Sequence, residues 1–310
     1  MVPPAIHTLK IGRLQWINVS DPEETALEYL RKKFRLNASD IADCHPELQR
    51  PKVIARPNYL FGIFLFPVFN PSSRIIEQKE VDFFLTKSAI ITIHDNQIPD
   101  LGAFFEALAR RGESARAFSR DGAALIAQIL DELIDTSFPL LQKLSLDIDT
   151  LRGQVLHNHS NPRFVTDILH LKNNLVAFRK AAQPTEGLLN RIISALPRHH
   201  DLSREARIAF DRLIDHTHEI NEHLEIYRDA IEAVEDTHST MISFRLNDIV
   251  RVLTVFSVIL LSLTFFSNLF IIEAVDTPII GRPFDWWALL GIMTLSTLAA
   301  IGIFKKKKWL

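Results

Sequence analysis

Apolar and polar positions fall into three regimes along the chain. Up to about residue 105, short runs rich in β-branched and aromatic residues alternate with helical patterns. Leu14–Val19, Tyr59–Pro67, Glu80–Leu85 and Ala89–His94 read as strands, and Pro22–Phe34 and Leu101–Arg111 as helices. From Asp121 the pattern is helical almost throughout. Segments near 121–158 and 161–196 are parted by Asn161-Pro162, and a further break follows at Pro197. Between Ser203 and Pro278 there is no proline, which predicts one helix from about 203 to 270, roughly 100 Å long at ~1.5 Å per residue.

The third regime is the C-terminal end. Val252 to Ile272 carries no ionisable side chain, nor does Trp286 to Phe304, and each run is long enough to cross a hydrocarbon core of roughly 30 Å. Between them, Glu273, Asp276, Arg282 and Asp285 accompany the helix breakers Pro278, Gly281 and Pro283. Lys305 to Lys308 follow the second run directly, and Trp286, Trp287 and Trp309 suit the interfaces. A basic flank on one end of a two-span hairpin predicts both termini, and the large N-terminal part, on the cytoplasmic side of the membrane. The competing reading is the buried hairpin of a soluble protein. The spanning length of both runs argues against it.

Polar residues in the first span are ordered. Positions 247, 250, 254, 257, 261, 264, 268 and 271 alternate steps of three and four and hold Asn247, Val250, Thr254, Ser257, Leu261, Thr264, Asn268 and Ile271. Between 252 and 270, four of these five stripe positions are polar, against two of the other fourteen residues (Ser262 and Ser267), so the polarity lies on one face. Such a face in hydrocarbon turns toward another helix or a water-filled path, and a 3.5-residue period is that of helices around a common axis. Continued backward in sevens, the register meets Ser243, Asp236, Asp229, Glu222 and Asp215. Ile220, Leu224, Tyr227, Ile231, Val234 and Met241 lie opposite. Several copies around an axis would make an acidic funnel, Asp215, Glu222, Asp229 and Asp236, leading into a polar pore that concentrates cations. The alternative is a solvated acidic face, with membrane hydroxyls bonded to their own helix carbonyls.

Composition narrows the function. The chain has 310 residues and a net charge of −2, so no basic excess points to nucleic acid. Cys44 is the single cysteine and suits a reducing compartment. The first residues lack the basic region and long apolar run of a signal peptide. A mean hydropathy of +0.08 averages a polar part, to about residue 245, with the apolar end. No Gly-rich phosphate loop, CxxC pair, HExxH or nucleophile signature appears, so neither an enzyme nor an organic cofactor is expected. His216, Glu219 and His223 share a helical face at metal-binding spacing. Solvated histidines on an acidic helix are the competing reading.

The residues also carry a resemblance. Asn247-Asp-Ile-Val-Arg-Val-Leu-Thr254, Leu263-Thr-Phe265 and Phe304-Lys-Lys-Lys-Lys-Trp-Leu310 resemble, in order and without gaps, the CorA family of divalent-cation channels, the two-transmembrane GxN family. Earlier matches are His45-Pro46, Gln49-Arg-Pro-Lys-Val53, Tyr59-Leu-Phe61, Glu80-Val-Asp-Phe-Phe-Leu85, Phe178-Arg-Lys180 with Pro184, and Asp215-His-Thr217 with Tyr227-Arg-Asp229. The resemblance implies a funnel-shaped homopentamer in the inner membrane. Its parts would be an α+β cytoplasmic domain (1–120), a cytoplasmic helical region (121–202), a long stalk continuing as transmembrane helix 1 (203–272), a short outer loop (273–285), transmembrane helix 2 (286–304) and a basic tail (305–310). It implies Asn247 as a polar ring at the cytoplasmic end, Val250 and Leu253 as the apolar gate, and Thr264 as a mid-pore hydroxyl ring. The cargo would be a divalent cation, Mg²⁺ or a transition metal such as Zn²⁺, Co²⁺ or Ni²⁺.

Two stretches depart from the family pattern. The signature Gly-Met-Asn falls on Ile271, Ile272 and Glu273, so five Glu273 carboxylates would stand at the outer mouth, with Asn268 one turn inward as the remaining amide ring. A solvated loop acid is the other reading of Glu273. An aspartate expected near the start of the stalk falls on Arg212. Losing the signature supports an alternative function, a non-conducting membrane protein of the same architecture acting as sensor or scaffold.

Overall fold

The computed structural model describes residues 3, 5–45, 48–95, 97–111, 122–157, 163–196, 203–271 and 279–309. Every residue of β6 (Ala89–His94) is buried, so its side chains are covered on both faces of a sheet. That sheet is six-stranded, in the order β1 (Ile6–Ile11), β2 (Leu14–Ser20), β6, β5 (Ile75–Thr86), β4 (Tyr59–Asn70), β3 (Lys52–Ala55). β2 and β6 run parallel with Ile17 opposite Ile91, and the other neighbours are antiparallel.

Alternation along the strands sorts residues between two cores. One face gathers Ile17, Val19, Phe61, Ile63, Phe84 and Ile91 beneath α1 (Glu24–Phe34) and α2 (Ala38–Ala42). On the other, Trp16 packs against Phe104 and Phe105 of α3 (Pro99–Arg111), with ring centroids 5.7 and 4.9 Å away. Four more helices follow: α4 (Gly122–Asp135), α5 (Ser137–His157), α6 (Phe164–Ala182) and α7 (Thr185–Ala195). α6 lies against β4 and β5 and α7 against β3 and β4. Asn174 of α6 accepts from the Ile76 amide at 2.9 Å and donates to the Arg74 carbonyl at 3.1 Å, tying the helix to the β4–β5 hairpin.

The structure adds β1 and β3, which the strand pattern alone does not suggest. Both are edge strands, defined by the neighbour that pairs with them rather than by their own short runs. It also divides each expected helical segment in two. α4 and α5 part at Thr136, whose hydroxyl donates to the Leu133 carbonyl at 2.7 Å, and Pro139 opens α5. α6 and α7 part at Gln183-Pro184, where the proline cannot continue the backbone ladder.

The chain forms two compact units, Met1–Val234 and Glu235–Leu310. α8 (Arg204–Ile271, 68 residues) starts in the first and ends in the second, which also holds α9 (Asp285–Lys306). In the second unit burial almost ceases, and α9 has no buried residue.

Candidate functional site

In the first unit, a row at steps of three and four buries one side of α8: Phe210, Leu213, Ile220, Leu224, Ile231 and Val234 are each at most 5% exposed. Its partners are visible in the polar contacts. Arg212 donates to the Asp131 carboxylate on α4, His216 meets the Phe138 ring of α5 edge-on at 5.7 Å, and Arg179 of α6 reaches Glu225 at 2.5 Å. Asp215, Glu222 and Asp229 lie on the side left in solvent. Glu222 sits 3.3 Å from His218 Nε2, and Asp229 accepts from Arg228 at 2.9 Å.

In the second unit, the predicted stripe runs along an open face of α8. Asp236 and Asn247 are exposed, and Val250, Leu253 and Leu261 are 59%, 62% and 68% exposed. Thr264 and Asn268 are exposed, Thr254 and Ser257 half-buried, and Ile271 is exposed; Ile272 and Glu273 lie outside the described residues. Thr254 donates its hydroxyl proton to the Val250 carbonyl at 2.7 Å, and Thr264 to Leu260 at 2.9 Å. This is the intrahelical bonding considered as an alternative to a polar path. The two readings are compatible, because a hydroxyl that donates backward leaves its oxygen lone pairs facing outward as acceptors for a cation or its water shell.

The end of α8 and α9 are the two helices, among the described residues, long and apolar enough to cross a membrane, and only 6% of each apolar window is buried. Trp286 and Trp287 open α9 and are both exposed, while Lys305 and Lys306 close it. An apolar surface of this extent exposed in one chain calls for lipid or further protein to cover it.

A family model described as CorA-like Mg²⁺ transporter protein matches residues 12–306. This chain belongs to that family. The CorA-type match spans both units, so it takes in the sheet domain as well as the apolar helices. Among curated relatives, the cobalt/magnesium transport protein CorA of Thermotoga maritima is 26% identical over 298 residues, covering 95% of this chain and 83% of that protein. YfjQ of Bacillus subtilis is 26% identical over 294 residues, covering 95% of this chain and 89% of that protein. Among solved structures, the CorA magnesium transporter of Methanocaldococcus jannaschii superposes with a TM-score of 0.85 at 21% identity, covering 97% of this chain and 93% of that one, and so shares the fold. The α/β domain, long helix and C-terminal apolar helix are thus the CorA architecture.

Of the three nominated metal ligands on α8, the structure brings His216 to two carboxylates of α4. His216 Nδ1 is 3.4 Å from Asp135 Oδ1 and 3.7 Å from Asp131 Oδ1. Glu219 and His223 face each other at 3.9 Å. Asp131 and Asp135 were not singled out in the sequence. Their only signal is an i,i+4 pair of acids, with Glu132 between them, in Leu130-Asp-Glu-Leu-Ile-Asp135. Burial and the charge of Asp131 raise the Asp135 carboxyl above its ordinary value, with His216 and Arg212 opposing. Arg212, standing where the family pattern leads one to expect an aspartate, is the residue that bonds Asp131.

A second acidic group lies at the ends of β2 and β6, where Asp21, Cys44, Glu80, Asp82 and Asp95 line a cavity of about 580 Å³. Burial, then the Glu80 charge, push Asp82 well above the usual carboxylate range. Burial and the neighbouring carboxylates likewise raise the Cys44 thiol, which leaves it unreactive.

Proposed function

We propose that the chain is a membrane channel or transporter for divalent cations, Mg²⁺ or a transition metal, that works as a homopentamer with α8 lining the path. The observation that carries this reading is the polar, 3.5-residue stripe along the apolar end of α8, in a unit whose described residues form almost no core of their own. Five copies placing that stripe inward would cover apolar surface outside it with lipid and neighbours, and would leave Asn247, Thr254, Ser257, Thr264 and Asn268 facing water. Val250 and Leu253 would then form the apolar constriction, which gates by excluding water, with Leu261 lining the path beyond it. Asp215, Glu222, Asp229 and Asp236 would draw cations toward the entrance. The printed names of the relatives, cobalt/magnesium transport proteins among them, fit this cargo.

Lys305–Lys308 beside the second span support an inner-membrane protein with both termini cytoplasmic. At the outer mouth we assign Ile271, Ile272 and Glu273 the place of the family signature, and Asn268 the amide ring that meets the hydrated ion. Reconstitution in liposomes tests the reading. Mg²⁺, Co²⁺, Ni²⁺ or Zn²⁺ should enter down its gradient, and a well-folded oligomer that passes none of them sinks the channel.

The missing signature favours a second reading, a non-conducting sensor or scaffold of the same architecture. The same assay separates the two. Silent liposomes that still bind cations support the sensor.

A further inference from the structure

We propose that the acidic cavity at the carboxyl ends of β2 and β6 is a binding site for a small organic cation, an aliphatic diamine. The two strands run parallel, with Ser20 opposite His94 at their ends. Open α/β sheets bind ligands in the crevice beyond the carboxyl ends of such strands. At about 580 Å³ the cavity falls within the roughly 300–1,000 Å³ of small-molecule pockets. Asp82 lines it at 3% exposure, and its buried Oδ1 has no hydrogen-bond partner among the described residues. A buried carboxylate oxygen without a donor costs free energy, so a donor brought by a ligand has a place to fill.

The charge of the surroundings selects the ligand. Among the described residues the lining carries four carboxyls, Asp21, Glu80, Asp82 and Asp95, against one lysine. That lysine, Lys79, is held by Glu77 at 3.0 Å and stands 3.9 Å from Asp95. Burial lowers the His94 pKa, so at neutral pH its imidazole adds no compensating charge. An anion is therefore repelled, while an ammonium gains a charge-assisted bond at Asp82. Glu80 lies two residues along β5 on the same face, with its Oε2 already accepting from the Gln49 amide at 2.5 Å. Among the described residues, no three side chains of the lining bring ligand atoms within 4.8 Å of one another, so a bare metal ion would find no coordination shell there. Leu48, Cys44 and Ile93 offer the apolar wall that a methylene chain covers, and the half-buried Asp95 meets the second ammonium at the rim. The site lies wholly in the first unit, and it stands whether or not the chain conducts.

The test is calorimetric titration of the full chain in detergent with 1,4-diaminobutane, near neutral pH and at constant ionic strength, with melting temperatures alongside. The wild type should bind one saturable equivalent per chain and melt higher in its presence. The uncharged analogue of the same length, 1,4-butanediol, should not bind. Asp82→Asn should weaken diamine binding at least tenfold, and Asp95→Asn at least threefold. A ligand-free melting temperature at or above that of the wild type shows that Asp82→Asn folds. Asp95→Asn changes a half-buried rim position and carries the test by itself if Asp82→Asn does not fold. A wild type without saturable uptake, equal uptake of the diol, unchanged affinity in either folded variant, or displacement of the diamine by equimolar Mg²⁺ would each overturn the proposal.

Discussion

Asp40 and Asp82 are buried to the same degree, 0% and 3% exposed, and their surroundings drive them in opposite directions. Burial disfavours the Asp40 carboxylate, yet Arg56 at 2.5 Å and the Tyr59 hydroxyl at 2.6 Å outweigh it and lower the pKa. Its stabilising contribution is full above the ordinary carboxylate range, near pH 4, and is lost as pH falls through the depressed value. Arg56→Ala should thus lower the melting temperature of the full chain at pH 7, by an amount that narrows as the pH approaches 3. Among the described residues no cation lowers the Asp82 pKa, one of its oxygens lacks a hydrogen-bond partner, and burial and the Glu80 charge raise its pKa. With a raised value, stability is greatest below about pH 4 and declines as pH climbs toward the folded-state pKa. Asp82→Asn should melt higher than wild type at pH 7.5, on the order of 3 °C, and lose that advantage near pH 4, in melts across that range. At the proposed pore, Asn268→Ala and Glu273→Ala should change ion preference or rate in liposomes. If neither does, the account of the outer mouth fails. None of these environments was legible in the sequence beyond the residue types. Asp40 and Asp82 each lie in an acid-bearing stretch, and only packing gives one of them an arginine.

At the scale of elements, α8 changes its role along its length without a break in its helical pattern. Its first half buries one row and exposes acids, and its last part exposes apolar and polar residues alike. Phe210 is fully buried, so Phe210→Ala should cost about 3–5 kcal/mol in denaturant unfolding of the first unit. Ile208, 59% exposed two positions away, should change stability by less than about 0.5 kcal/mol when truncated to Ala. The heptad row was legible because it is local: about seven turns of one helix, at 3.6 residues each, repeat the same choice of face. The breaks at Thr136 and Gln183-Pro184 were less so, since proline after a helical pattern marks a first turn as readily as an end.

For the whole molecule, the exposed apolar surface of the second unit makes an isolated chain in water untenable. In detergent, native mass spectrometry should give five copies, and a monomer at micromolar concentration would remove the basis of the shared path. Val250→Ser and Leu253→Ser should raise cation flux in liposomes by making the constriction easier to wet. Unchanged flux in both would place the constriction elsewhere. By itself the sequence determined the spanning lengths of the apolar helices, the polar stripe, the four central strands and the family, because periodicity and run length are properties of neighbouring residues. Only the tertiary structure decided that α8 docks on α4, α5 and α6, that β1 and β3 close the sheet, and that His216 meets Asp131 and Asp135 rather than Glu219 and His223. A helix pattern states which face is covered, but the identity of the cover is a contact between distant segments, settled by how all the faces pack at once.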